Sequence, residues 1–186
     1  MKKYCILITF VCTLILGGWF AGVDKTEAQT TPQIQNISGW AWSSNVGWIA
    51  FGSWPNRVRL ETATGNILGY AWNNNIGWIR FDPPPDITTG TYPGLPDNSS
   101  KVVGINVTGW ARACSVFLTG CSGALKSDIQ LGGWDGWIKM FDASSWSPGV
   151  TKGIPNFSGK AWGSDVVGWI DFCGSNFCVS ADSLTV

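Results

Sequence analysis

Histidine is missing from all 186 residues of this chain, and so is an excess of charge of either sign. Without histidine, the chain lacks the commonest general base, the Ser–His and Cys–His nucleophile pairs and histidine metal ligands. Twelve basic residues balance twelve acidic ones, and they form no basic stripe of the kind that binds nucleic acid. The glycines punctuate short apolar runs and form no phosphate-binding loop. These absences argue against an enzyme, a cofactor, a metal site and a nucleic-acid partner.

Paired carboxylates are a catalytic arrangement that remains open to a histidine-free chain, because two of them can hydrolyse a glycosidic bond. The candidates are Asp128, Asp135, Asp142, Asp165 and Asp171. They fall mainly in predicted turns or on a predicted water-facing strand surface, and some acids must lie near each other by chance. A glycoside hydrolase is therefore the least favoured function, and we predict a non-catalytic protein.

Tryptophan, by contrast, is abundant, and most of the thirteen belong to a unit that occurs four times. The first copy reads GWAWSSNVGWIAF and the second GYAWNNNIGWIRF, while the third is interrupted by an insertion and the fourth reads GKAWGSDVVGWIDF. With their flanking residues, the units lie near 37–52, 67–82, 107–142 and 157–173. Self-similarity at this level predicts a repeat architecture before any single residue is interpreted.

Each unit has the pattern of a β-hairpin. Two short runs rich in Trp, Ile and Phe flank a cluster of Ser, Asn, Asp and Gly, the residues that tolerate turn geometry. We predict an all-β domain of antiparallel hairpin or meander repeats with at least eight strands, and helix confined to an N-terminal leader.

Side chains alternate faces along a strand, so each predicted strand has an inner and an outer set. In the first strand of every unit one face reads apolar, Gly, Ala, and in the second strand it reads Ile and then Phe or Met. These inner sets are the predicted core: Ile37, Gly39, Ala41, Ile49, Phe51, Ile67, Gly69, Ala71, Ile79, Phe81, Val107, Gly109, Ala111, Ile138, Met140, Phe157, Gly159, Ala161, Ile170 and Phe172. The outer sets mix aromatic and charged residues, as expected of a sheet with one buried and one wet face.

Three cross-strand pairs are predicted on the outer face. Tyr70–Arg80 and Trp110–Lys139 are cation–π candidates, and Lys160–Asp171 is an opposite-charge pair. Such neighbours stabilise a sheet without any ligand.

Residues 1–28 have the form of a secretory signal peptide, with a basic start, an uncharged stretch over 4–23 and a cleavage motif at 26–28. An uncleaved anchor is the alternative, because the apolar run approaches the roughly 20 residues needed to span a bilayer. We expect an exported protein, extracellular or at the cell surface, whose mature domain is 29–186. A membrane would be a partner only through an uncleaved leader.

Cysteine usage agrees with export. Cys5 and Cys12 belong to the leader, and the remaining four allow three disulfide connectivities. We favour the local pairs Cys114–Cys121 and Cys173–Cys178, since each closes a short loop beside a strand. A site binding metal through all four thiolates is the rival, but neither spacing is the usual chelating pair of a zinc site.

The segments between the units give further expectations. Residues 57–61 read as a strand with Val58 and Leu60 inward, and 178–184 begins like a strand that could pair back on the first unit. The connection 82–97 holds five of the nine prolines and fits either a loop over one continuous domain or a division into halves. The insertion 114–131 is predicted to be a disulfide-pinned loop.

The recurrent GWAW…NxGWIxF pattern, together with the run AWGSDVVGWIDF at 161–172, resembles a family of uncharacterised exported Trp-rich β-repeat proteins. These are frequent in candidate-phylum (Patescibacteria-type) bacteria with small genomes. The resemblance covers about 36–173 and implies an exported, repetitive, surface-associated protein, and it supplies no activity.

Two functions from different classes remain. In one, the aromatic face binds a cell-envelope polysaccharide or another cell-surface protein, because flat rings accept the C–H faces of sugars while nearby polar groups give direction. The candidate binding residues are Trp40, Trp42, Trp48, Tyr70, Trp72, Trp78 and Arg80. In the other, the Trp pairs only stabilise small hairpins, and the protein is a structural spacer. Coplanar, open indoles would favour binding, and indoles that interlock edge to face would favour the spacer.

Overall fold

A computed structural model describes residues 33–52, 55, 57–83, 99–140 and 149–182. The predicted leader, with its helix and cleavage site, lies outside the described residues, as do Asp142 and most of the Pro-rich connection.

The described residues form fourteen strands, which confirms the all-β prediction. The strands are β1 Ile34–Ser43, β2 Gly47–Phe51, β3 Arg59–Glu61, β4 Ile67–Leu68, β5 Tyr70–Asn73, β6 Gly77–Arg80, β7 Lys101–Val103, β8 Asn106–Thr108, β9 Trp110–Ala113, β10 Trp137–Lys139, β11 Val150–Lys152, β12 Phe157–Trp162, β13 Trp169–Asp171 and β14 Val179–Ala181. Helix is not confined to the leader, since single turns α1 (Asp128–Leu131) and α2 (Ser164–Val167) interrupt units three and four. No helix among the described residues is long and apolar enough to cross a membrane.

The four repeat hairpins close into an antiparallel barrel, here called the first ring. The hairpins are β1–β2, β5–β6, β9–β10 and β12–β13, as the repeat predicts. They join side by side because β2 pairs with β5, β6 with β9 and β10 with β12, and β13 returns to β1. Each of these eight strands therefore has a hydrogen-bonded neighbour on both sides, and a ring of eight strands is just wide enough for side chains to fill.

Alternating small and large residues fill this barrel. The first strand of every hairpin contributes an Ala and the second strand an Ile, all at most 3% exposed: Ala41, Ala71, Ala111, Ala161, Ile49, Ile79, Ile138 and Ile170. The aromatic and methionine positions that follow the Ile in each unit, Phe51, Phe81, Met140 and Phe172, are also buried. The apolar, Ala, Ile and Phe/Met positions of the predicted core are thus confirmed as core.

A second ring of strands continues the barrel at one end. It consists of the hairpins β3–β4 and β7–β8, the pair β11–β12, and β14 against the start of β1. The hairpins are joined by β1–β3 and β8–β11 pairing and by the bridges Asn66–Lys101 and Asn156–Ser180. The predicted inward positions Val58 and Leu60 are buried, and β14 pairs with unit one as expected. Residues 101–108 form the two strands β7 and β8, which a tight turn joins.

The glycine that opens each repeat lies where the first strand passes from the second ring into the first. Gly39 and Gly159 have φ angles of 98° and 87°, which residues with a side chain rarely adopt. A Cβ atom on Gly39 would collide with the carbonyl oxygen of Cys178, and one on Gly159 with that of Gly149. The repeat needs glycine here for both its backbone conformation and the close approach of the neighbouring chain.

The turn of unit two is held by a buried amide. Asn73 is 1% exposed, and its Nδ2 donates to the carbonyl oxygens of Val46 and Trp48 at 2.9 and 2.8 Å. Its Oδ1 accepts the backbone N–H groups of Asn75 and Ile76 at 2.8 and 3.0 Å. One side chain thus shapes its own turn and bonds it to the hairpin of unit one.

Candidate functional site

The candidate site lies on the outer face of the first ring, where one inner pair of side chains stands directly opposite in each hairpin. The pairs are Trp42–Trp48, Trp72–Trp78, Arg112–Trp137 and Trp162–Trp169. In the three Trp pairs the ring centroids lie 4.7 to 4.9 Å apart and the planes meet at 53° to 67°. These indoles interlock at steep angles rather than forming a flat platform, and such contacts stabilise the hairpin.

The predicted outer pairs are confirmed. The Arg80 guanidinium lies 5.8 Å from the Tyr70 ring centre, and the Lys139 ammonium 5.4 Å from that of Trp110. Lys160 and Asp171 form an ion pair. In units two, three and four, the charged side chains of these outer pairs therefore interact with a partner in the same hairpin.

Unit two contributes four of the predicted binding residues, and the structure packs them against one another. Tyr70, Trp72 and Trp78 are half-buried, and the Tyr70 and Trp78 rings meet edge to face at 6.2 Å. The indole Nε1 of Trp72 donates to Asn74 Oδ1 at 2.9 Å. Arg80 is also bonded to Asp82 at 3.2 Å. The Trp72 indole N–H and one Arg80 nitrogen are thus already paired, and the Tyr70 and Trp78 rings pack on each other.

In unit three the insertion covers the inner pair of side chains on the outer face. Arg112 is only 2% exposed, and its guanidinium lies 4.3 Å from the Trp137 ring centre and 4.9 Å from that of Phe117. Its Nε donates to the carbonyl oxygen of Asp135 at 3.0 Å. The insertion, with its confirmed Cys114–Cys121 disulfide, thus brings Phe117 over the place where the other units carry an inner Trp.

Unit one is more open. Trp40 is 51% exposed, Trp42 36% and Trp48 48%, although Trp40 and Trp48 meet edge to face at 6.2 Å. A cleft of about 240 Å³ lies here, lined by Trp40, Trp48, Asn176 and Phe177, and is called the unit-one cleft below. It unites two predicted binding residues with two that the sequence analysis did not single out.

Asn176 and Phe177 reach the cleft on a small loop, Cys173–Cys178, that the confirmed second disulfide closes; it is called the disulfide loop. Within it, the Gly174 N–H donates to the Phe177 carbonyl at 2.8 Å. The loop is tied to unit one because the Trp40 N–H donates to the Cys178 carbonyl at 3.2 Å. The Phe177 ring then meets Trp48 at 5.0 Å and 88°. The flanking cysteines were the sequence signal that marked this loop.

Two of the five carboxylates considered for hydrolysis, those of Asp135 and Asp171, have local partners. Asp135 accepts the Trp137 backbone N–H at 3.2 Å, a turn-stabilising contact, and Asp171 is held by Lys160. The backbone carbonyl of Asp165 accepts the Asn45 side chain at 3.0 Å, which links the turns of units four and one. The position of the Asp128 side chain is not among the described features, and Asp142 lies outside the described residues. No cluster of three or more Cys, Asp or Glu side chains suited to a metal ion occurs within the described ranges.

Comparison with protein-family models, with curated proteins and with solved structures found no match for this chain.

Proposed function

We propose that the protein is a non-catalytic, exported surface module that binds a cell-envelope or extracellular polysaccharide at the unit-one cleft. The observation that supports this is the cleft itself, in which the half-exposed indoles of Trp40 and Trp48 stand beside Phe177 and the amide of Asn176. Apolar rings with a few polar groups are the usual lining of a small-ligand site. Indole faces bury the C–H surface of a pyranose, and an amide can bond its hydroxyl groups.

The proposed binding surface lies in unit one alone, whereas the sequence predicted one that spans units one and two. Unit two has a similar aromatic set, with Tyr70 in place of Trp40, but its rings are half-buried, and Trp72 Nε1 and the Arg80 side chain already bond to Asn74 and Asp82. Trp42 lies beside the cleft through its contact with Trp48 at 4.7 Å, and acts by holding that indole in place.

Export is supported by the two disulfides, because such bonds persist in oxidising compartments outside the cytoplasm. A closed barrel with interlocked surface indoles also suits a module that must remain folded outside the cell.

A structural spacer is the second candidate, and the steep-angled Trp pairs of units one, two and four favour it. Under this alternative the unit-one cleft has no ligand, and its indoles contribute only to stability.

Isothermal titration of the exported protein against a panel of soluble polysaccharides separates the two. We expect weak, saturable binding that falls at least about tenfold, or about 1.4 kcal/mol, in Trp40→Ala. Trp169→Ala is the matched control, because Trp169 is 41% exposed on the same face but lies in unit four. Equal binding by both folded variants would overturn the unit-one cleft as the binding site, and no binding by the wild type would favour the spacer.

A further inference from the structure

Resting on the proposed function, we infer that the disulfide loop is the specificity element of the unit-one cleft and selects uncharged pyranose units over anionic ones. The loop supplies both non-tryptophan walls, Asn176 and Phe177, and the Cys173–Cys178 bond fixes their place. The ligand class follows from the shape, charge and hydrogen-bonding groups of the cleft.

The shape suits a short part of a sugar chain. The Trp40 and Trp48 planes meet at 79°, and the Trp48 and Phe177 planes at 88°. Successive rings therefore form the walls of a corner instead of a long flat strip. A volume of about 240 Å³ lies below the roughly 300–1,000 Å³ of drug-sized ligand pockets, so the cleft takes one or two sugar rings.

The charge of the lining selects against anions. Trp40, Trp48, Asn176 and Phe177 are all uncharged, and the residue paired with Trp40 across the hairpin is Ala50. Among the described residues, strand pairing places Asp171 opposite Trp42, and Asp171 is itself bound to Lys160. A carboxylate or sulfate buried against the indoles would lose water without gaining a cation, which is unfavourable.

Asn176 supplies the hydrogen-bonding groups that would orient a sugar in the cleft. Its side chain is exposed, and an amide offers one acceptor oxygen and two N–H donors, which match the hydroxyl and acetamido groups of neutral sugars. Phe177 is half-buried against Trp48, so its ring positions that indole rather than recognising polar groups.

The Cys173–Cys178 disulfide holds Asn176 and Phe177 in place beside the indoles of Trp40 and Trp48. Apart from the disulfide, the loop is held by the Gly174–Phe177 backbone bond, by the Trp40–Cys178 backbone bond and by the contact of the Phe177 ring with Trp48. Opening the Cys173–Cys178 link lets Asn176 and Phe177 leave the cleft, and affinity then falls because the loop must be ordered again on binding.

The test is titration of the exported full-length protein with cellotetraose, chitotetraose and tetragalacturonate. We expect at least one neutral oligosaccharide to bind about tenfold more tightly than tetragalacturonate. Asn176→Ala weakens that binding about five- to tenfold, and Asn176→Arg raises affinity for tetragalacturonate severalfold by supplying the missing cation. The double variant Cys173→Ser, Cys178→Ser weakens neutral binding, whereas Cys114→Ser, Cys121→Ser, which opens the disulfide of unit three, leaves it unchanged.

The outcomes distinguish this inference from the proposed function. If Trp40→Ala abolishes binding but the Asn176 and Cys173/Cys178 variants bind like the wild type, the cleft binds sugar and the specificity inference is wrong. A wild-type preference for tetragalacturonate also overturns the inference alone. Absence of binding to every oligosaccharide and polysaccharide overturns both.

Discussion

A buried serine in the second ring offers the sharpest test of the fourfold architecture. Ser100 is 0% exposed, and its Oγ has no hydrogen-bond partner among the described residues. Its N–H donates to the Phe81 carbonyl at 2.9 Å, just as Val150 donates to Met140 and Val179 to Phe172. Ser100 therefore occupies a position at which units three and four place valine.

Ser100→Val should stabilise the protein. An unpaired buried hydroxyl costs roughly 1–3 kcal/mol, and the additional buried carbon contributes about 0.8 kcal/mol. Imperfect fit opposes this gain, because overpacking a dense core costs about 1–3 kcal/mol. The buried valines Val150 and Val179 at the equivalent positions indicate that a valine fits here. We expect a net gain of about 1–2 kcal/mol, which raises Tm by roughly 2–8 °C for a domain of this size.

The change in the free energy of unfolding is measured by urea unfolding, with Trp fluorescence as the signal. The m-value of the variant must equal that of the wild type for the two free energies to be compared. The matched control is Ser43→Val, because Ser43 is also 0% exposed but its Oγ bonds to the Val167 carbonyl and to the N–H groups of Asn45 and Val46. That variant should lose about 2 kcal/mol or more, since it leaves buried groups unpaired. If Ser100→Val folds normally yet is destabilised as much as Ser43→Val, the equivalence of position 100 with the valine positions is refuted.

Two further substitutions and one mapping experiment test the fold. Asn73→Ala should lower the free energy of unfolding by about 4 kcal/mol, because four hydrogen bonds at roughly 1 kcal/mol each are lost. Asn74→Ala should cost less than about 1 kcal/mol, and similar losses in the two variants would contradict the turn geometry. Gly159→Ala should prevent folding or lower Tm sharply, because its Cβ atom would collide with the Gly149 carbonyl oxygen. The control Gly104→Ala, at φ 62° in open space, should lower the free energy of unfolding by only about 1 kcal/mol. A stable Gly159→Ala variant would refute the close approach of the neighbouring chain. Peptide mapping of exported protein should recover the Cys114–Cys121 and Cys173–Cys178 links, and four alkylatable thiols would contradict both.

Much of the local structure could be predicted from the sequence. The period-two alternation assigned Ala41 and Ile49 to the core and Trp42 and Trp48 to the outer face, because a strand directs successive side chains to opposite sides. The same alternation predicted the pair Lys160–Asp171 across its hairpin. These features depend on residues within one hairpin, where the turn fixes the register.

The order of the strands and the completed site were decided by the tertiary structure. Four hairpins can form an open meander or close on themselves, and only the pairing of β13 with β1 shows the closed ring. The same closure brings β14 beside β1 and carries Asn176 and Phe177 to Trp40, from more than a hundred residues away in the sequence. The sequence by itself determined which face of each strand is buried, because that depends on local periodicity; which strands and loops become neighbours depends on the geometry of ring closure, to which all four repeats contribute together.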